Sequence, residues 1–169
     1  MQRLGVAIVL MVGTLTVLSG QGPDARLQGQ LKRLFPNATS FSPKQPDPPH
    51  YKAFGAGNQL QGFAFWTTDL TPLERGYDGP IKILVGMDTN AVLTGIVVAD
   101  HHEPFGNFSI DTTAFQAQFN GKNIRDPFKV GGDIDAITRA TISVTTASRS
   151  VRNSARRIAR ALLAPPSSQ

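Results

Sequence analysis

A short polar run, residues 135–143, contains residue types that could bind or react with a phosphate group. Its sequence is DAITRATIS, and it lies between a glycine-rich segment and a long amphipathic stretch that predicts a helix. The amino end of a helix presents unpaired N–H groups and the positive end of the helix dipole, which both favour phosphate. A threonine hydroxyl there could bind a phosphate or be esterified to one. Spacing alone favours a simpler interpretation, in which Thr138 or Thr141 only caps the helix.

Cysteine chemistry is excluded, because the 169 residues include no Cys. Disulfides, zinc–thiolate sites, iron–sulfur clusters and a lipid-modified N-terminal Cys are therefore ruled out. Redox chemistry would need an organic cofactor or a metal held by His and carboxylates. His101, His102 and Glu103 form the cluster that could hold a metal. Adjacent side chains at the end of a strand point to opposite faces, so we predict no metal site.

The middle of the chain predicts an antiparallel sheet that would position the polar run. Residues 59–68 are rich in aromatic side chains, and residues 81–101 have the composition of a β-hairpin around a turn at 88–90. Phe65 and Trp66 could cover an aromatic ligand. Because side chains alternate along a strand, at most one of the two faces any given side.

Helices are predicted on either side of this segment. Asp24 is expected to cap a helix that Pro36 ends, and residues 37–50 predict an extended connector with few hydrogen bonds. Asp111 is expected to cap a short helix. The fold class is α+β, a mainly antiparallel, half-barrel-like sheet flanked by helices. A C-terminal amphipathic helix buries one stripe of residues: Ala147, Val151, Ala155, Ile158 and Leu162.

The chain is basic, with a formal net charge of +5 and a pI near 10.0. Much of the excess comes from five arginines between residues 149 and 160, which we interpret as the solvated face of the C-terminal helix. At the amino end, Arg3 precedes a fifteen-residue apolar run, residues 4–18, followed by small residues. This arrangement is typical of a secretory signal and is shorter than the ~20 residues that cross a bilayer. Export makes nucleic acid an unsuitable partner.

The polar run resembles the flavinylation motif D-x-x-(S/T)-G-A-T of the FMN-binding domain family. That family includes domains of the Rnf complex G subunit, the sodium-pumping NADH:quinone reductase C subunit and the regulator of nitrous oxide reductase expression. Four further segments recur in the family's order: residues 31–41, 76–88, 101–104 and 115–122. Among these three, the chain most resembles the exported FMN domain of the regulator, in which a similar hairpin runs into a His–Glu–Pro loop.

The resemblance implies which residues serve the cofactor. Thr141 matches the threonine that is joined to FMN by a phosphoester, installed from FAD by an exported FAD:protein FMN transferase. Asp135 and Thr138 match recognition or positioning residues. The family usually has Gly where this chain has Arg139, which tolerates a left-handed backbone poorly but suits a phosphate contact. The remaining implied contacts are Ala140, Ile142, Glu103 and Pro104, and Lys122 and Arg149 are weaker candidates for the phosphate.

The same resemblance implies a function and a division of the chain. Residues 1–20 would be a signal peptide or N-terminal membrane anchor, 21–50 a helix and Pro-rich connector, 51–164 the FMN-binding domain, and 165–169 a tail. The protein would be exported to the periplasm or the extracytoplasmic face of the membrane. There its covalent FMN would pass electrons between a membrane-bound redox donor and an exported acceptor. Two alternatives remain open: a small flavin-dependent oxidoreductase, and a degenerate domain that carries no flavin.

Overall fold

Residues 22–163 are described in a computed structural model, and a six-stranded antiparallel sheet lies at their centre. The spatial order of the strands is β1-β3-β4-β5-β6, and β2 pairs with β3. The predicted α+β class is confirmed. The strands are β1 Ser40–Phe41, β2 Gln45–Pro46, β3 Pro49–Phe54, β4 Leu60–Trp66, β5 Lys82–Asp88 and β6 Leu93–Asp100, and the helices are α1 Ala25–Leu34, α2 Thr113–Ala117 and α3 Thr141–Leu162.

The predicted hairpin is formed by β5 and β6. Its turn is fixed by the Asp88 carboxylate, which accepts hydrogen bonds from the backbone N–H groups of Asn90 at 2.8 Å and Val92 at 2.9 Å. Ala91, between them, adopts a left-handed backbone with φ 62°. The turn predicted at residues 88–90 is therefore held by an Asp side chain, which accepts two backbone N–H groups.

The Pro-rich segment is better hydrogen-bonded than its composition predicts. It contains β1 and β2, and both pair with β3. The backbone N–H of Thr39 also donates to the Phe54 carbonyl at 2.7 Å. The expectation of a poorly hydrogen-bonded connector was wrong, because Pro46 and Pro49 lie on short outer pairings, where a missing N–H is tolerated. The domain boundary at residue 50 stays a prediction.

Alternation along β4 supplies two hydrophobic layers, one on each face of the sheet. Phe65 is buried in the larger layer with α3, whereas Trp66 is buried on the other face with α1. The Lys82 ammonium lies 4.8 Å from the centre of the Trp66 ring. Both aromatic residues are therefore core residues. The predicted stripe of α3 is confirmed, with Leu162 only partly buried.

The cap of α1 is predicted correctly and the cap of α2 is not. The Asp24 side chain accepts from the Leu27 N–H at 2.8 Å. At α2, the Thr112 hydroxyl accepts from the Phe115 N–H at 3.2 Å, so Thr112 is the cap. Asp111 lies one residue too early to reach that N–H, and its carboxylate instead lies 3.0 Å from Nε2 of His101.

Two predicted segments lie outside the described residues: the signal peptide or anchor, and the C-terminal tail. Between residues 22 and 163, no helix combines the length and the apolar character needed to cross a bilayer.

We expect the stability of the fold to fall at mildly acidic pH because of His50. Its imidazole is 3% exposed, Nδ1 lies 2.7 Å from the Pro48 carbonyl, and Nε2 is buried without a partner. Burial lowers the pKa of His50 below its ordinary value of about 6.5. The unfolded chain then binds the proton more tightly, so the free energy of unfolding decreases as pH falls through that value.

The check is urea unfolding of the protein and of His50→Gln between about pH 7.5 and pH 5.5. The variant should lose less stability over this interval, because Gln does not titrate. His102→Gln, at an exposed position, should keep the pH dependence of the parent protein. Equal pH dependence in His50→Gln and the parent would contradict the assignment.

Candidate cofactor site at the start of the long helix

Thr141 is the first residue of α3, and its side chain is exposed. The residue that caps the helix is Ala140, whose methyl group cannot accept a hydrogen bond. The interpretation in which Thr138 or Thr141 only caps α3 was therefore wrong. Among the described residues, the N–H groups of residues 141–143 have no acceptor. The amino end of α3 thus offers the free donors that a phosphate needs.

A cavity of about 370 Å³ opens beside Thr141. Three segments that are distant in sequence form it: the turn that contains Tyr77, the loop at 104–105, and residues 139–143. Of the predicted site residues, Pro104, Arg139, Ala140, Thr141 and Ile142 line the cavity. Tyr77 and Ser143 line it as well, and sequence reasoning gave neither a role.

The walls of this cavity carry large apolar side chains that face solvent. Tyr77 is 69% exposed, and Phe105 and Ile142 are also exposed. A cleft with apolar and aromatic walls and a few polar groups at one end is the usual form of a cofactor site. A flat aromatic ring would bury these walls, and its phosphate would meet the free amides of α3. The arrangement therefore fits a ligand that, like FMN, combines a flat ring with a phosphate.

Arg139 has a left-handed backbone, with φ 67°. This conformation costs a non-glycine residue about 1–2 kcal/mol. The need for a positive φ explains why Gly suits this position in the family motif. Arg139 adopts the same φ, but with this energetic penalty. Its backbone leads directly into a tight turn, in which the Ala140 N–H donates to the Ile137 carbonyl at 3.0 Å.

Glu103 lies behind the cavity wall, 6% exposed. Its carboxylate accepts hydrogen bonds from the N–H groups of Tyr77 at 3.1 Å and Asp78 at 3.3 Å. It also accepts from the Ser143 hydroxyl at 2.5 Å. These donors belong to two of the three segments that form the cavity, and Glu103 itself adjoins the third.

Asp135 and Thr138 are exposed and do not line the cavity. Their predicted role in recognition by a transferase stays a prediction. The weaker phosphate candidates are both paired with carboxylates: Lys122 with Asp133 at 3.0 Å and Arg149 with Glu74 at 2.7 Å. Burial alone would raise the pKa of Asp133, but hydrogen bonds from the Lys129 N–H and the Lys122 ammonium outweigh it and lower that pKa.

The three residues of the possible metal cluster do not converge. The two ring nitrogens of His101 are engaged by the Asp111 carboxylate and by the N–H of Glu103. His102 is exposed, and Glu103 is bound by the donors described above. Within residues 22–163, no group of three His, Asp or Glu side chains is arranged to hold a metal ion.

A larger cleft of about 540 Å³ lies between residues 67–74 and the C-terminal half of α3. Two of the three arginines that line it bond to backbone carbonyls of the fold. Arg156 donates to the carbonyls of Ile124 and Asp126, and Arg157 donates to the carbonyl of Thr71. We therefore place the functional site at the smaller cavity, where free amides, an exposed hydroxyl and apolar walls coincide.

Comparison with known proteins identifies relatives that match different parts of the chain. The chain is 35% identical over 88 residues to the G subunit of the ion-translocating oxidoreductase complex of Vibrio vulnificus, a match that covers 46% of this chain and 42% of that protein. It is 26% identical over 167 residues to the regulatory protein NosR of Pseudomonas aeruginosa, a match that covers 92% of this chain and 23% of that protein. The chain thus spans less than half the length of either relative.

The match to a family model includes all three segments that form the cavity. The model of the FMN-binding domain matches residues 76–156. This segment begins at the turn that contains Tyr77 and includes the loop with Glu103, the polar run and most of α3. Over this segment, the chain is similar to the FMN-binding domain family.

Proposed function

We propose that FMN is joined through its phosphate to the Thr141 hydroxyl, and that the bound flavin carries electrons between a membrane-bound redox donor and an extracytoplasmic acceptor. The observation that carries the proposal is the exposed Thr141 hydroxyl at the free amino end of α3, beside an apolar cavity. The family match supports FMN as the ligand. The name of one relative, a subunit of an ion-translocating oxidoreductase complex, supports a place in redox chemistry.

The attachment is a phosphoryl transfer whose atoms balance with FAD as donor. A bond forms between the Thr141 oxygen and the phosphorus of the FMN half, and the bond from that phosphorus to the bridging oxygen breaks. AMP leaves with that oxygen and its electron pair, and the hydroxyl proton is released. The transferase that catalyses this step would be a separate exported protein. In this chain, the free N–H groups of residues 141–143 stabilise the negative charge of the product phosphodiester.

The flavin, when bound, supplies reversible one- and two-electron chemistry. The chain supplies orientation and cover. Tyr77, Phe105 and Ile142 form apolar walls that are exposed in the described structure and would be buried by the ring. A covalent link retains the cofactor outside the cytoplasm, where a lost flavin is not readily replaced. The predicted signal at residues 1–20 supports this location.

The proposal is tested by loading the protein with flavin. The exported chain is co-expressed with an FAD:protein FMN transferase, and the purified product is analysed by denaturing gel and intact mass. We expect a fluorescent band and a mass increase of one FMN less one water. Trypsin should place the addition on residues 140–149, and fragmentation of that peptide should place it on Thr141. A colourless product, with the transferase active on another substrate, would refute the covalent assignment.

A further inference from the structure

The buried carboxylate of Glu103 joins the separate parts of the cavity. Its three hydrogen bonds come from the turn at Tyr77 and Asp78 and from the first helical turn of α3, at Ser143. Ser143 lies 40 positions away from Glu103 and Tyr77 lies 26 positions away. No other side chain among the described residues bonds to both the Tyr77 turn and the first turn of α3.

The turn at Tyr77 is shaped to receive this carboxylate. A Cβ atom added to Gly76 would lie 2.2 Å from Oε1 of Glu103, well inside van der Waals contact. Glycine at position 76 therefore lets the backbone approach the carboxylate closely enough for the next two N–H groups to bond to it. On the other side, the Ser143 hydroxyl is buried and directed at the same carboxylate.

We infer that Glu103 is a positioning residue for the FMN site, which it preforms by holding the Tyr77 turn against the start of α3. The inference rests on the proposed function. Tyr77 and Ser143 line the cavity together with Thr141, whereas Glu103 does not line it. Glu103 acts through these two neighbours by setting the width of the cavity and the direction in which the Thr141 hydroxyl faces.

Glu103→Gln tests the inference, because it keeps the size of the side chain. A Gln side chain has one acceptor oxygen and a donor amide in place of two acceptor oxygens. One of the backbone N–H groups at Tyr77 or Asp78 would then face a donor, and the turn would move away from α3. We expect flavin transfer, measured as kcat/KM of the transferase, to fall at least about tenfold, since misplacing a reacting group by about 1 Å costs up to ~10²-fold.

Glu74→Gln is the matched control. Glu74 also ties the segment before β5 to α3, through Arg149 at 2.7 Å and Asn153 at 2.8 Å, but it does so farther along the helix. If Glu103 acts locally, Glu74→Gln should be loaded with flavin at close to the rate of the parent protein. An equal loss in both variants would overturn the inference, because general loosening of the α3 contact would then explain it.

Two further readouts separate this inference from the proposed function. In the flavin-free protein, hydrogen exchange at the Tyr77 and Asp78 amides should be faster in Glu103→Gln than in the parent, whether or not flavin can be attached. In the loaded protein, Glu103→Gln should raise the reduction potential, because it removes a negative charge from behind the cavity wall, and a nearby negative charge disfavours reduction of a flavin held in the cavity. A parent protein that is not loaded refutes the proposed function, whereas unchanged exchange at both amides refutes the positioning role.

Ser143→Ala provides a milder second variant. It removes one donor to Glu103 and leaves both backbone N–H groups in place. We expect slower flavin loading than in the parent, and an effect that does not add to that of Glu103→Gln, because the two changes break the same contact. If Glu103→Gln does not fold, Ser143→Ala decides alone: a loading rate equal to that of the parent would overturn the inference.

Discussion

Thr141→Ala is expected to abolish covalent flavin loading while leaving the fold intact. The hydroxyl oxygen is the atom that forms the new bond to phosphorus, and alanine has none. The folded structure should tolerate the change, because the Thr141 side chain is exposed and makes no hydrogen bond within the described residues. Alanine also has the higher helix propensity, so the melting temperature should be unchanged or slightly raised. Intact mass and flavin fluorescence, measured after co-expression with the transferase, check this result.

Two matched variants identify the hydroxyl as the cause. Thr141→Ser keeps a hydroxyl at the same position and should still be loaded. Thr145→Ala removes an exposed threonine one helical turn later and should be loaded like the parent protein. If Thr141→Ala carried one FMN with the addition on Ser143 or Thr145, the ester would belong to that residue and our assignment would be wrong.

Phe119→Ala is expected to lower the free energy of unfolding by about 3–5 kcal/mol, the usual cost of removing a buried Phe side chain. Phe119 is fully buried just after α2. Its ring meets that of Phe115 edge-on at 5.2 Å and lies 6.2 Å from that of Phe128.

Urea unfolding of Phe119→Ala measures the loss. Phe108→Ala is the control, because its ring is 81% exposed and its removal should change stability by no more than about 0.5 kcal/mol. A loss below about 1 kcal/mol in Phe119→Ala would mean that the layer beneath α3 repacks around the missing ring.

Features that depend on neighbouring residues could be predicted from the sequence. The hairpin of β5 and β6, the Asp24 cap and the buried stripe of α3 each follow from spacings of a few residues. The predicted capping residue of α2 was wrong by one position. Two neighbouring polar side chains there compete for the same N–H, and only the backbone path decides which of them reaches it.

The candidate site could be predicted only in part, because it is assembled from distant segments. The polar run and Thr141 are visible as a local motif. The turn that contains Tyr77 reaches the site through Glu103, and no local pattern indicates that contact. The sequence does contain an indirect sign, a Gly-Tyr-Asp-Gly turn at residues 76–79, whose first glycine is needed for the close approach of the carboxylate.

Arg139 departs from the family motif, and its backbone conformation shows what that position requires. The family motif has Gly at this position, and the φ of 67° gives the reason. The strain belongs to the single residue that joins the polar run to the Ala140 cap. It does not propagate into α3, whose first internal hydrogen bond, from Val144 N–H to the Ala140 carbonyl, is 2.9 Å long.

The placement of both hydrophobic layers on the same strands has a consequence for how the domain unfolds. Phe65 and Trp66 are neighbours on β4, yet each belongs to a different layer. If α1 detached, it would uncover one face of the strands whose other face supports α3. If α3 detached, it would likewise uncover strands that support α1. Neither helix can therefore leave as an independent unit at low cost. The two layers should melt in one cooperative step, without a stable intermediate that retains only one of them.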